Sequence, residues 1–302
     1  MSGYAVMWSG GKDSALALAR AREAGAEIGC LLNFIDAASR RVRFHATRAE
    51  LIAEQAAAAG LPLRQHATSW PEFESAFRRA LAELKDDGFA GVVFGDIHLA
   101  DVRAWYEERV RAAGLEHVEP IWGGEPRGLL AEFVRSGGRA VVTCCELAKL
   151  DGRWLGRIVD ERFAAEIDLA GIDVCGENGE YHSFAFAGPA FQRPVAWLAG
   201  APHREAGFLQ LDLLEPQLEL AAAVATTIAS HPDLVEGTVS GRPKAWGALA
   251  AKGLVVLRGR LGRALEERER RALWDALWQG AQRAAATAPT AGDGGSAPGA
   301  SR

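Results

Sequence analysis

Ser9-Gly10-Gly11-Lys12-Asp13-Ser14 directly follows a short apolar run at residues 4–8. That run is strand-sized, and residues 14–24, starting at the last of the six, place apolar side chains three and four apart, as a helix requires. The six therefore occupy a strand-to-helix turn. In such a turn glycines let backbone N–H groups approach a polyphosphate, and the helix start adds the positive end of its dipole. Lys12 adds a full charge, while Ser9 and Ser14 add hydroxyls. Asp13 is a carboxylate in an anion site, which makes sense if Mg²⁺ stands between it and the phosphates. The loop is expected to be exposed. Its spacing is neither that of GxxxxGK[ST] nor that of GxGxxG. The plain alternative is a glycine turn with a capping serine and no ligand.

Outward from this turn, short apolar runs alternate with helical stretches, the mark of βαβ units and a parallel sheet. Strands are expected at residues 27–34, 63–66, 91–95 and 117–121, with helices at 47–59, 71–87 and from about 96 to 113. From residue 123 the rhythm changes. A helix at 127–136, a strand at 140–145, a helix at 160–169 and an alternating strand at 181–187 suggest a smaller α+β domain. Further strand candidates lie in 195–214, broken by Pro202 and Gly207. Glu215-Pro216 marks a boundary, followed by a helix at 217–230, a strand candidate at 254–258 and an amphipathic helix at 264–283. The expected organisation is a nucleotide domain (1–124), an acceptor domain (125–215), an α/β extension without an assigned role (216–283) and a disordered tail rich in Ala, Gly, Pro, Ser and Thr (284–302).

The bulk numbers are those of an ordinary globular protein. The chain has 302 residues, 49% hydrophobic and 24% charged, with a net charge of −5. The acidic balance argues against nucleic acid as a partner. No run of about 18 apolar residues and no signal segment is present, so the expectation is a cytoplasmic protein without membrane contact. The four cysteines, Cys30, Cys144, Cys145 and Cys175, form no CxxC pair and read as buried thiols. A homo-oligomer is left open.

The six-residue turn resembles the PP-loop of the adenine nucleotide α-hydrolase superfamily, whose members split ATP into AMP and pyrophosphate. Later motifs, in the same order and spacing, are similar to those of the N-type ATP pyrophosphatases, the group that contains diphthine–ammonia ligase. They are Phe44-His45, Gly95-Asp96-Ile97, Glu119-Pro120-Ile121-Trp122, the stretch from Glu146 to Leu155, and Gly176-Glu177-Asn178-Gly179-Glu180-Tyr181-His182. The resemblance runs from about Tyr4 to Pro194. It implies a Rossmann-like parallel sheet of order 3-2-1-4-5, with ATP and Mg²⁺ at the end of the first strand. Where that family reads GEGGEYET, this chain carries Asn178 and His182, in the part expected to face the acceptor.

From the resemblance, Ser9, Gly10, Gly11, Lys12, Asp13, Ser14, Gly95 and Asp96 are expected to hold ATP, with Asp13 at the metal. Lys12, Asp13, His45, Glu177 and Glu180 are the candidate catalytic residues. Glu177, Asn178, Glu180, His182 and Arg103 are the candidate acceptor contacts. Each has a plainer reading from the residues alone. Glu177 and Glu180 could be solvated turn carboxylates, Asp96 a helix N-cap, His45 a surface cap, Arg103 and Arg109 a solvated helix face, and Asp151 a turn residue. The expected reaction is adenylation of a carboxylate, small or protein-borne, followed by amide formation with ammonia or an amine. Two rivals are a PP-loop nucleotidyl-transfer enzyme acting on tRNA, and a non-catalytic ATP sensor.

Overall fold

The computed structural model describes residues 3–287. The chain divides into two compact units, one ending at Glu215 and the other beginning at Pro216. In the first unit β1 (Tyr4–Met7), β2 (Ile28–Asp36), β3 (Leu63–Thr68), β4 (Gly91–Val93) and β5 (Glu116–Val118) form a parallel sheet of order β3-β2-β1-β4-β5. The crossover helices are α1 (Lys12–Glu23), α2 (Ala49–Ala59), α3 (Phe73–Asp86) and α4 (Ala100–Ala112). Val6, Leu31 and Val93 pack with α1 and α2, whereas Ala5, Leu32 and Val92 pack with α3 and α4. With both faces covered, the strands read as continuous apolar runs. The order of strands reverses between β1 and β4. Open α/β sheets place ligands at the carboxyl ends of the strands flanking such a reversal.

The same unit continues with α5 (Pro126–Arg135), β6 (Arg139–Glu146), a 3₁₀ turn (Gly152–Trp154), β7 (Ile158–Val159), α6 (Glu161–Asp168), β8 (Tyr181–Ala187), β9 (Leu198–Glu205) and β10 (Phe208–Leu214). These five strands form an antiparallel sheet with β6 paired to β7, β8 and β10, and with β9 beyond β10. Pro202 does not break its strand, because β9 is an edge that has no ladder bond to lose on its open side. Gly207 does act as a break. It and Ala206, at φ 88° and 47°, close the hairpin between β9 and β10.

The second unit is helical throughout its described length: α7 (Pro216–Ser230), α8 (Pro232–Val239), α9 (Ala245–Leu261) and α10 (Glu267–Thr287). The strand expected at 254–258 is therefore part of a helix, and the extension is not α/β. The Val255-Val256 pair gave the strand signal. A four-residue spacing overrides it, since Leu249, Gly253, Leu257 and Leu261 are all buried in α9. Because α10 runs to Thr287, residues 284–287 are helical, not disordered. The remainder of the expected tail lies outside the described residues. Among the described residues no helix is long and apolar enough to cross a membrane.

Candidate active site

The turn between β1 and α1 is buried, not exposed as expected. Lys12 is 3% and Ser14 4% exposed. Strand β8 of the second sheet and helix α2 hold it. The Gly10 carbonyl accepts from Ala185 N at 2.8 Å and from Gln55 Nε2 at 2.9 Å. Gln55 also donates to Ala185 O at 2.7 Å and accepts from Trp8 Nε1 at 2.8 Å. Ser183 Oγ accepts from Lys12 N at 3.3 Å. Within the turn, Ser14 Oγ donates to Gly11 O at 3.0 Å and Ser9 Oγ accepts from Gly11 N at 3.2 Å. Gly10 has φ +84°, and a Cβ there would meet Gln55 Oε1 and Ile52 Cδ1 at 2.7 Å. Only glycine satisfies both the backbone conformation and the space.

The Lys12 ammonium donates to Asp13 Oδ2 at 2.9 Å and to the Cys175 carbonyl, and it lies 4.9 Å from the centre of the Tyr181 ring. Burial alone would lower its pKa. The Asp13 carboxylate more than offsets that and lifts it well above the ordinary lysine value. Lys12 is thus a fixed cation in the turn.

Acidic side chains gather around the end of β4. Gly95 lies so close to the turn that a Cβ would come within 3.0 Å of the Asp13 and Ser14 backbone. Glu177 Oε1 accepts from Ile97 N at 2.9 Å, and burial and then Asp13 raise its pKa. Asp96 is pushed up to about 7, first by burial and then by Glu177, Glu119 and Asp13. It caps no helix, since α4 starts at Ala100 with Leu99 in the cap position. Glu180 is 5% exposed, and its Oε1 accepts from Asp173 N at 3.3 Å and from Asn178 Nδ2 at 3.4 Å. Its Oε2 is buried and has no hydrogen-bond partner among the described residues.

Beside the turn lies a ring-bearing face. His45 Nδ1 is 3.0 Å from Ser183 O, so a proton on that nitrogen makes the bond and leaves Nε2 as an acceptor. The His182 ring lies 4.8 Å from His45 and 5.9 Å from Phe44. Burial lowers the pKa of both histidines, for His182 well below the usual value, so both are neutral near pH 7. Phe44 is 50% exposed at φ 64° and Trp70 is 62% exposed. The Arg43 guanidinium stands 3.4 Å from the Trp70 ring centre and 4.8 Å from that of Phe44. A left-handed backbone at a bulky exposed residue is costly and collects at functional sites.

The other candidates take mostly structural places. Arg103 Nε lies 2.8 Å from Glu119 Oε2, though not aligned as a hydrogen bond, and the guanidinium is 4.5 Å from the Trp122 ring. Glu119 is almost wholly buried and is pushed up to about 7, chiefly by that burial. Arg103 reaches the acidic cluster only through Glu119. Arg109 pairs with Glu74 at 3.0 Å and packs over Trp105, tying α4 to α3. Asp151 accepts from Arg153 N at 2.7 Å and so caps the 3₁₀ turn. Gln55, Ser183 and Trp70 were not singled out by the sequence. Gln55 carried a signal, because it lies three and four residues from Ile52 and Leu51 on the buried face of α2.

A parallel sheet of order 3-2-1-4-5, with a glycine-lysine turn seated at its point of reversal, defines a Rossmann-like protein of the PP-loop class. The chain matches a family model described as the diphthamide synthase N-terminal domain over residues 2–117, and one described as the diphthamide synthase C-terminal domain over residues 125–210. It belongs to that family, as a diphthine–ammonia ligase-like PP-loop protein. Diphthine–ammonia ligase from Homo sapiens is 28% identical over 109 residues, a stretch that covers 35% of this chain and 41% of the human protein. Helices α7 to α10 lie beyond both matched segments.

Proposed function

We propose that this protein is an ATP-dependent, amide-forming ligase that adenylates a carboxylate acceptor and releases pyrophosphate. The observation that carries the reading is the buried, fixed Lys12 ammonium in a glycine turn clamped by β8 and faced by carboxylates. The turn backbone at Gly10 and Gly11, the start of α1 and Lys12 would hold the polyphosphate. The acceptor carboxylate attacks the α-phosphorus and pyrophosphate departs. Ammonia or an amine then attacks the acyl carbon and AMP leaves. Positioning and charge neutralisation supply most of the rate, so no nucleophilic side chain is needed. Asp96, with its pKa near 7, is poised to take the proton that the attacking nitrogen gives up.

The residues present fit a magnesium ion held in its usual way, by one or two carboxylates together with phosphate oxygens. Asp13 is the first such carboxylate. The ion would neutralise phosphate charge. Among the described residues no three His, Cys, Asp or Glu side chains form a metal site by themselves, so its binding would depend on the nucleotide. The acceptor would lie along Phe44, His45, Trp70 and His182, the ring-bearing face next to the turn. Chromatography of nucleotide incubated with the protein and candidate carboxylates tests the reading. AMP and pyrophosphate are expected, and ADP as the main product would overturn it.

A further inference from the structure

The helical unit holds a cleft of about 310 Å³ lined by Trp246, Trp274, Asp275, Trp278 and Gln279. Three indoles and one carboxylate around an open space are an unusual lining for a surface that only has to face water. Trp246 and Trp278 meet edge to face, at 88° with ring centres 5.4 Å apart. Trp278 is 44% exposed, and the solvent that covers its ring would be released on filling the cleft.

Four of the six tryptophans of the first unit carry a cation that these indoles lack; Trp8 and Trp197 carry none among the described residues. Trp70, Trp105, Trp122 and Trp154 each carry an arginine guanidinium within 5.6 Å of the ring centre. Among the described residues no lysine or arginine lies over Trp246, Trp274 or Trp278, and Asp275 makes no ion pair. Arg271, one turn before Asp275 on α10, is instead paired with Glu267 at 3.0 Å. The cleft therefore offers indole surface and a carboxylate that makes no ion pair among the described residues, while the Trp274 Nε1 beside them is buried without a partner there.

We propose that this cleft binds an organic ammonium ion, of the quaternary or methylated-amine class. Such an ion is weakly hydrated, spreads its charge over methyl groups that suit indole faces, and is attracted by the ring quadrupole. Asp275 adds a directional charge at the rim. The volume is at the lower end of the range for small-molecule sites. It accommodates the head of such a ligand, whether free or carried on a side chain. The site stands independently of the proposed ligase activity, since none of its five residues belongs to the turn or the acidic cluster.

Choline tests this, with its uncharged isostere 3,3-dimethylbutan-1-ol as control, in a titration of the full chain followed by the indole N–H resonances. Saturable shifts of the Trp246 and Trp278 signals are expected, with choline binding about tenfold or more tighter than the alcohol. Asp275→Asn should weaken choline binding several-fold and leave the alcohol unchanged. Trp278→Ala, at a half-exposed position, should remove the shift of the Trp246 signal. No saturable shift with choline, or equal binding of the alcohol, would overturn the proposal. So would the same shifts on concentrating the protein without ligand, which would make the cleft a contact between copies of the chain.

Discussion

The turn at residues 9–14 and the helical unit after Pro216 use burial in opposite ways. Around the turn the buried groups are polar: Lys12, Ser14, Gln55 and Ser183 are all below 5% exposed. In the helical unit α9 and α10 bury chiefly Leu249, Leu257, Leu261, Leu273 and Leu277, with Glu219, Thr227, Thr238 and Glu269 as the unit's buried polar side chains among the described residues. Aliphatic burial is non-directional and tolerates adjustment. Buried polar groups cost several kcal/mol unless each is partnered, so a region built from them has one geometry or none. Here that geometry fixes a cation at the start of α1. The difference teaches that the turn is a machine part set by distant residues, whereas the helical unit is set by its own spacing.

The largest expected contrast comes from Lys12→Ala. The rate of ATP cleavage should fall by about two orders of magnitude or more, because a preorganised charge is lost from a dry site. The same change leaves the Asp13 carboxylate and the Cys175 carbonyl without their buried donor, so stability should also fall by about 1–3 kcal/mol. Pyrophosphate release and chemical denaturation read the two effects. Near-normal turnover would remove the turn from the chemistry.

Gln55→Leu follows. It strips partners from Trp8 Nε1, Gly10 O and Ala185 O together, at a cost of about 2–4 kcal/mol. Activity should fall with it, since the turn loses its anchor on α2 and keeps only those on β8. A denaturation midpoint unchanged from wild type would show that α2 does not set the turn.

Asp96→Asn sharpens the comparison through pH. Its carboxyl is held at about 7 against 3.8 for the free group, by burial first and then by its acidic neighbours. The folded chain therefore keeps this proton where the unfolded chain has lost it, and the group's contribution to stability declines as pH rises from about 4 to about 7. Replacing it with asparagine should flatten that decline and gain on the order of 2 kcal/mol at pH 8, with little change near pH 4. Thermal melts at both pH values check this. A stabilisation that is equal at the two would rule out titration as its cause.

The smallest effect belongs to the helical unit. Gly253→Ala would bring a Cβ within 2.4 Å of Leu277 Cδ1, the movable end of a side chain. Partial relief by rotation should hold the loss to about 1–2 kcal/mol, with nucleotide cleavage untouched. A variant whose activity falls as much as its stability would contradict this expectation.

The parts of the fold with strong local signals were legible in the sequence. β1, the glycine-lysine turn and the alternation after it led to a parallel sheet, because each strand is a short apolar run with a helix behind it, whereas the order of its strands came from the family resemblance. The site was legible only where its residues sit in motifs. The burial of Lys12 escaped notice, because the Ser183 and Ala185 that cover it are more than 170 residues away in sequence. Gln55 is a single polar residue in an alanine-rich helix, and its three partners come from β1, the turn and β8. Val255-Val256 misled because two β-branched residues outweighed, locally, a four-residue spacing that only the packed helices reveal.

The most direct measurement is a crystal structure with the α,β-methylene analogue of ATP, which cannot be split between those phosphates. The β- and γ-phosphates should lie within hydrogen-bonding distance of the Gly10 or Gly11 amide and of Lys12 Nζ, with the ring-bearing face of Phe44 and His182 left open to the acceptor. A nucleotide whose phosphates lie elsewhere, with Lys12 still bonded only to Asp13 and Cys175, would contradict the assignment of this turn as the site of ATP cleavage.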